Sequence, residues 1–117
     1  MKKHNALAAL AALAQENRLD VYRLLVEAGP EGLSAGNVAT TLKLAPNALT
    51  FHFDRLREAG LVTVRREGRS MIYSARFDQM NALIGYLTEN CCQGRAEKCA
   101  PAVPKTYARA ARKKETV

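Results

Sequence analysis

The sequence predicts a mainly α fold with one small β-hairpin, in the order ααααββα. Three observations carry it. Apolar residues recur at helical spacing in four stretches between residues 4 and 59. After Gly60 the period switches to two and holds as far as Arg76, interrupted only by Glu67-Gly68. A last stretch of helical period then follows Asp78.

The first helix, residues 4 to 15, sets Leu7, Leu10 and Leu13 among many alanines, the strongest helix formers, and this Leu stripe requires a partner surface. In residues 17 to 28, Leu19, Tyr22, Leu25 and Val26 face one way, Asn17 is placed to cap the start, and Gly29-Pro30 ends the helix. Ser34 is placed to cap a short third helix that turns Val38, Ala39 and Leu42 inward. The Lys43-Leu44-Ala45 turn leads to Pro46, which suits a first helical position because its missing N–H has no partner there anyway. From Pro46 to Ala59 the inward stripe is Leu49, Phe53 and Leu56, and Gly60 is the expected left-handed stop. Two helices joined by a three-residue turn form a helix-turn-helix.

The hairpin follows directly: residues 61 to 66, a Glu67-Gly68 turn, and residues 69 to 76, with a basic tip. Asp78 caps the last helix, whose apolar residues Met80, Leu83, Ile84 and Leu87 recur at three and four until it ends near Asn90. A helix-turn-helix followed by a hairpin is a winged helix, with a helix for the major groove and a basic wing for the adjacent backbone or minor groove.

At 117 residues, 48% hydrophobic and 25% charged, the chain fits one small globular domain. Residues 1–90 are expected to form the DNA-binding and dimerisation domain, and residues 91–117 a cysteine-containing segment with a flexible basic tail. No apolar run approaches the ~20 residues that span a bilayer, and the N-terminal helix lacks a signal-peptide cleavage site, so a cytoplasmic protein without a membrane partner is expected. A net charge of +7 and a pI near 9.7 favour a polyanionic partner. Part of that excess, Lys105, Arg109, Arg112, Lys113 and Lys114, lies in the tail, where a solvated basic end adds non-specific attraction.

Once the inward stripe is assigned, the second helix of the motif presents Asn47, Ala48, Thr50, Phe51, His52, Asp54 and Arg55. Asn bonds adenine edges, Thr and Ala meet thymine methyls, and Arg55 or His52 binds phosphate. A half-buried Phe51, and an Arg55 paired with Asp54 or Glu58 on a solvated face, are the competing structural readings. Arg65, Arg66 and Arg69 around Gly68 concentrate like charge at a hairpin tip, which has no stabilising purpose in the free protein. Double-stranded DNA is the expected partner.

These residues resemble the ArsR/SmtB family of metal-responsive winged-helix repressors over about residues 5 to 90. Leu49-Thr50-Phe51-His52-Phe53-Asp54-Arg55-Leu56-Arg57-Glu58-Ala59-Gly60-Leu61-Val62 is similar to the family's recognition helix and the junction after it. The wing from Arg65 to Tyr73 resembles the family's Gly-Arg plus Tyr hairpin, and Asn17-Arg18-Leu19 with Leu24-Leu25 its second helix. The resemblance implies a homodimer joined through the first and last helices, here Leu7, Leu10, Leu83, Ile84 and Leu87. It also implies a palindromic operator that is released when an inducer binds.

All three cysteines, Cys91, Cys92 and Cys99, fall within eleven residues of polar company after the last helix. In a reducing compartment they read as thiols for metal, metalloid or redox chemistry. The family's Cys-x-Cys on the helix before the recognition helix is missing, since Leu33-Ser34-Ala35-Gly36-Asn37-Val38-Ala39 holds no thiol. Its Asp and His pairs on the last helix are missing too, because the histidines here are His4 and His52. Some arsenic-responsive members place their inducer thiols near the C-terminus in this way.

Trivalent arsenic takes three sulfurs, whereas zinc prefers four ligands and would draw the fourth from Glu89, Glu97 or water. Adjacent cysteines diverge on an ideal helix, so convergence needs the helix to fray and Gly94 to turn the chain back; Arg95 and Lys98 would favour thiolates. The expectation is a repressor of an arsenic-resistance operon with As(III) as inducer, antimonite, Sb(III), or methylarsenite meeting the same geometry, and no cofactor in the DNA-bound form. A redox sensor pairing Cys91 or Cys92 with Cys99, or a sensor of another soft metal such as Cd(II), is the alternative. Catalysis is not expected: the Cys segment has no His, and there is neither a glycine-rich nucleotide loop nor a Ser/His/Asp set.

Overall fold

The computed structural model describes residues 1–94. Its elements run α1 (Lys3–Leu13), α2 (Glu16–Ala28), β1 (Leu33–Ser34), α3 (Ala35–Leu42), α4 (Pro46–Glu58), β2 (Val62–Glu67), β3 (Ser70–Ala75) and α5 (Phe77–Leu87). This is the expected winged helix-turn-helix with one strand added. Leu33 and Ser34 pair antiparallel with Tyr73 and Ile72, so β3 lies between β1 and β2. A two-residue strand is too short to show a period of two in a sequence.

Caps and turns explain where each element begins and ends. Ser34 caps α3 as expected, its Oγ accepting from the Asn37 N–H at 3.1 Å. Asn17 does not cap α2: Gln15 Oε1 accepts from the Arg18 N–H at 2.8 Å, which starts the helix at Glu16 and leaves Asn17 in its first turn. Pro46 opens α4, and Gly60 at φ +77° follows its end. The hairpin turn is Gly68-Arg69, one residue beyond the expected place, because Glu67 pairs with Ser70. Gly68 takes φ +61° at the first turn position, as a two-residue hairpin requires. Asp78 lies in the first turn of α5 and accepts from Arg76 Nη2 at 3.0 Å, a bond that holds its carboxyl below the usual carboxylate range.

The largest fully buried side chains are Phe53, Leu25, Leu49, Leu56, Leu61, Val21 and Val38. The α4 stripe is therefore as expected, while α2 buries Val21 and leaves Leu19 exposed. In α1 the inward face is made of alanine. The helix buries Ala6, Ala9 and Ala12, and its Leu7 and Leu10 stand 57% and 40% exposed. Helix-on-helix packing against α2 and α4 is served there by methyl groups, which let backbones approach closely, so the larger side chains turn outward.

Phe53 of α4 stacks on Tyr73 of β3 with ring centroids 3.6 Å apart and planes 2° from parallel. Nearby, burial pushes the Tyr22 phenol up to about 12, and its hydroxyl has no hydrogen-bond partner among the described residues. The chain divides after Tyr86, and the unit that begins at Leu87 is described as far as Gly94. Among the described residues no helix is long and apolar enough to cross a membrane.

Gly32 has φ +73°, and a Cβ on it would run into the Tyr73 carbonyl oxygen, whereas Gly68 at φ +61° faces open space. Gly32→Ala is therefore expected to destabilise the fold by about 3 kcal/mol, the sum of backbone strain and collision, and Gly68→Ala by about 1 kcal/mol from strain alone. Urea denaturation of the two variants checks this; equal losses would show that β3 yields at Tyr73.

Candidate nucleic-acid interface

The outward face of α4 carries Asn47, Ala48, Thr50, Phe51 and Arg55, all exposed. Thr50 Oγ1 donates to the Pro46 carbonyl at 3.0 Å, which fixes the side chain and leaves its methyl outside that bond. Phe51 is 51% exposed, with the Arg55 guanidinium 5.0 Å from its ring centroid. Arg55 also pairs with Glu58 at 3.4 Å, and Arg57 with Asp54 at 3.7 Å. The last turns of α4 thus balance their own charge, and its first two turns present uncharged side chains.

His52 stands apart from this face, contrary to the expectation from sequence. It is 8% exposed, on the inward side of α4. The reason is periodicity: Leu49, His52, Phe53 and Leu56 lie at i, i+3, i+4 and i+7, one continuous buried stripe. Its Nδ1 has no hydrogen-bond partner among the described residues. Burial lowers its pKa from the ordinary 6.5, and the Arg18 guanidinium, held by a 2.6 Å bond from Nε to the Ala12 carbonyl, lowers it further.

On the wing, Arg65, Arg66 and Arg69 are all exposed but differ in their attachments. Arg65 donates from Nε to Glu67 at 2.9 Å and from Nη2 to the Glu31 carbonyl at 2.7 Å. Arg66 Nε reaches the Gly68 carbonyl at 3.1 Å. Arg69 has no polar partner among the described residues. The tether to Glu31 escapes a sequence reading because it joins positions 34 residues apart.

The residues expected at a dimer surface also separate. Leu7, Leu10 and Leu87 are exposed, Ile84 is half-buried, and Leu83 is 3% exposed. Leu83 is thus a correction: its side chain belongs to the chain's own core.

The thiols follow the end of α5 at Leu87, earlier than the expected Asn90, so Cys91 and Cys92 are not on that helix. The Cys91–Gly94 turn is irregular, with Asn90, Cys92 and Gln93 at φ 57°, 54° and 61°. Both thiols are half-buried. Cys99 and the basic tail lie outside the described residues. Among the described residues no three His, Cys, Asp or Glu side chains gather to hold a metal ion.

Residues 13–65 match a helix-turn-helix domain model. The chain is 34% identical over 95 residues to the transcriptional activator HlyU of Vibrio cholerae, covering 80% of this chain and 85% of HlyU. The chain belongs to the same family of helix-turn-helix transcriptional regulators as HlyU. A solved structure of HlyU from Vibrio cholerae superposes with a TM-score of 0.62 at 32% identity, over 79% of this chain and 99% of that one. An ArsR-like transcriptional regulator from Rhodococcus sp. RHA1 gives 0.66 at 25% identity, over 85% and 90%. A homodimeric winged helix-turn-helix domain from Mycobacterium bovis shares the fold, at 22% identity and a TM-score of 0.60 over 80% and 86%. This family member is therefore a DNA-binding transcriptional regulator and not an enzyme.

The His52 site yields a pH dependence whose sign is fixed. A folded-state pKa below the unfolded value near 6.5 means that the unfolded chain binds the extra proton. Stability is fully present above that value and falls as the pH drops beneath it. Between about pH 7 and about pH 5, above the ordinary carboxylate range, wild type should lose stability more steeply than His52→Leu. Urea melts across that range measure it, and parallel slopes would refute the assignment.

Proposed function

We propose that the protein is a homodimeric cytoplasmic repressor of an arsenic-resistance operon, and that it leaves a palindromic operator when Cys91, Cys92 and Cys99 bind trivalent arsenic. The observation that carries this reading is the gathering of every thiol of the chain within residues 91–99. The left-handed backbone at Cys92 and Gln93 supports it, since a chain off the helical path escapes the divergence that an ideal helix imposes on adjacent side chains. Three thiolates satisfy As(III), and Sb(III) or methylarsenite equally, with no fourth ligand.

Two further observations support the DNA half of the reading. The uncharged outward face of α4 suits base edges and methyls, and Arg66 and Arg69 suit phosphate. Exposed Leu7, Leu10 and Leu87 suit a self-complementary interface. Release then follows from linkage: metalloid bound more tightly to a dimer geometry that no longer fits successive major grooves lowers DNA affinity by the same factor. A hundredfold loss of operator affinity requires only ~2.7 kcal/mol of coupling.

A redox reading is favoured by one specific observation: HlyU of Vibrio cholerae also has a solved structure in its reduced form, which matches this chain at 29% identity. On that reading a disulfide between Cys99 and Cys91 or Cys92 replaces the metalloid. Anisotropy of the reduced protein on a labelled duplex from upstream of its own reading frame separates them. Arsenite at micromolar levels should release the DNA, and Cys91→Ser, Cys92→Ser and Cys99→Ser should each abolish that response while leaving DNA affinity within about twofold. Release by peroxide or Cd(II) alone would replace arsenic by the corresponding signal.

A further inference from the structure

Arg65 and Arg66 are neighbours on β2, and successive side chains of a strand point to opposite faces. Their partners differ accordingly. The Arg66 side chain bonds the hairpin's own turn, at the Gly68 carbonyl. Arg65 instead reaches out of the wing to the Glu31 carbonyl, in the turn that follows α2. That turn is closed by a 3.1 Å bond from the Gly32 N–H to the Gly29 carbonyl, and Gly32 presses against β3 at Tyr73. The two strands of the wing are thus both seated on the turn between residues 29 and 32.

The guanidinium edge that Arg65 uses here, Nε with Nη2, is one that would otherwise fork a phosphate. Glu67 and the Glu31 carbonyl occupy it. The ion pair with Glu67 is exposed and contributes little alone. The bond to Glu31 is different, because it joins the wing to a backbone carbonyl in the helical part of the domain. We propose that Arg65 is a positioning residue: it clasps the wing to the turn after α2, so that Arg66 and Arg69 meet the phosphate backbone at a fixed height beside α4. The clasp rests on the DNA-binding reading for its purpose, and on the two bonds for its existence.

Lysine separates positioning from contact. An ammonium binds phosphate as a point charge but cannot make the forked attachment to Glu67 and Glu31. Anisotropy on the same labelled duplex should therefore show Arg65→Lys and Arg65→Gln weakened alike, by about tenfold, although Lys keeps the charge. In a background carrying Arg66→Ala and Arg69→Ala, the same Arg65 substitutions should cost less than about twofold, because a wing without contacts has nothing to position. Amide exchange of the DNA-free protein should be faster in β2, β3 and residues 29–32 for both Arg65 variants, and unchanged for the Arg66→Ala, Arg69→Ala protein.

A Lys variant that binds like wild type, or losses that add in the double background, would make Arg65 a direct phosphate contact and overturn the proposal. Unchanged exchange would overturn it as well. Wild-type protein that bound no duplex would refute the DNA-binding reading instead, and the exchange measurement, made without DNA, still decides whether the clasp exists.

Discussion

The stack of Phe53 on Tyr73 is the contact on which the rest of the winged helix depends. Phe53 is 1% exposed and Tyr73 9%, and their planes lie within 2° of parallel. Offset or edge-on geometry is the electrostatic preference of aromatic pairs, so burial rather than ring polarity holds this pair flat. Tyr73 also occupies the middle strand, opposite Leu33 on one side and Val64 on the other. One residue therefore joins α4 to both edges of the sheet, and the angle between helix and wing is set where its ring lies.

Charge is distributed unevenly about that joint. Arg55 and Arg57 each face an acid one helical turn away on α4, so the helix contributes little net field at its C-terminal end. Arg66 and Arg69 lie at the tip of the wing without a carboxylate partner among the described residues. On the proposed DNA-binding reading, attraction for a polyanion would come from the wing and discrimination from α4, a division of the kind that separates phosphate contacts from base contacts.

Most of this was legible in the sequence because periodicity and punctuation agree. Pro46 and Gly60 bracket α4, Ser34 caps α3, and the change of period after Gly60 marks the wing. What was not legible has identifiable causes. His52 fills a gap in a buried stripe, and a histidine there looks like a surface reader until its neighbours are in place. Leu7 and Leu10 were legible as a stripe in need of a partner surface, but the alanine face that α1 buries instead, Ala6, Ala9 and Ala12, was not, because alanine marks a helix without marking its inward side. The Arg65 to Glu31 bond and the two-residue β1 depend on segments far apart in the chain, and no local pattern announces either. The thiols could be located but not arranged, since the left-handed backbone at Cys92 and Gln93 has no residue pattern that announces it.

The inversion of α1 has a consequence for how the protein responds to its own abundance. A helix that buries methyl groups and displays leucines obtains little of its apolar stabilisation from its own chain. Whatever covers Leu7 and Leu10 adds to the stability of the folded state by mass action, in proportion to the logarithm of its concentration once that exceeds the dissociation constant. If the cover is a second copy, a scarce regulator is also a more fragile one, and the protein's supply and its resistance to unfolding rise and fall together.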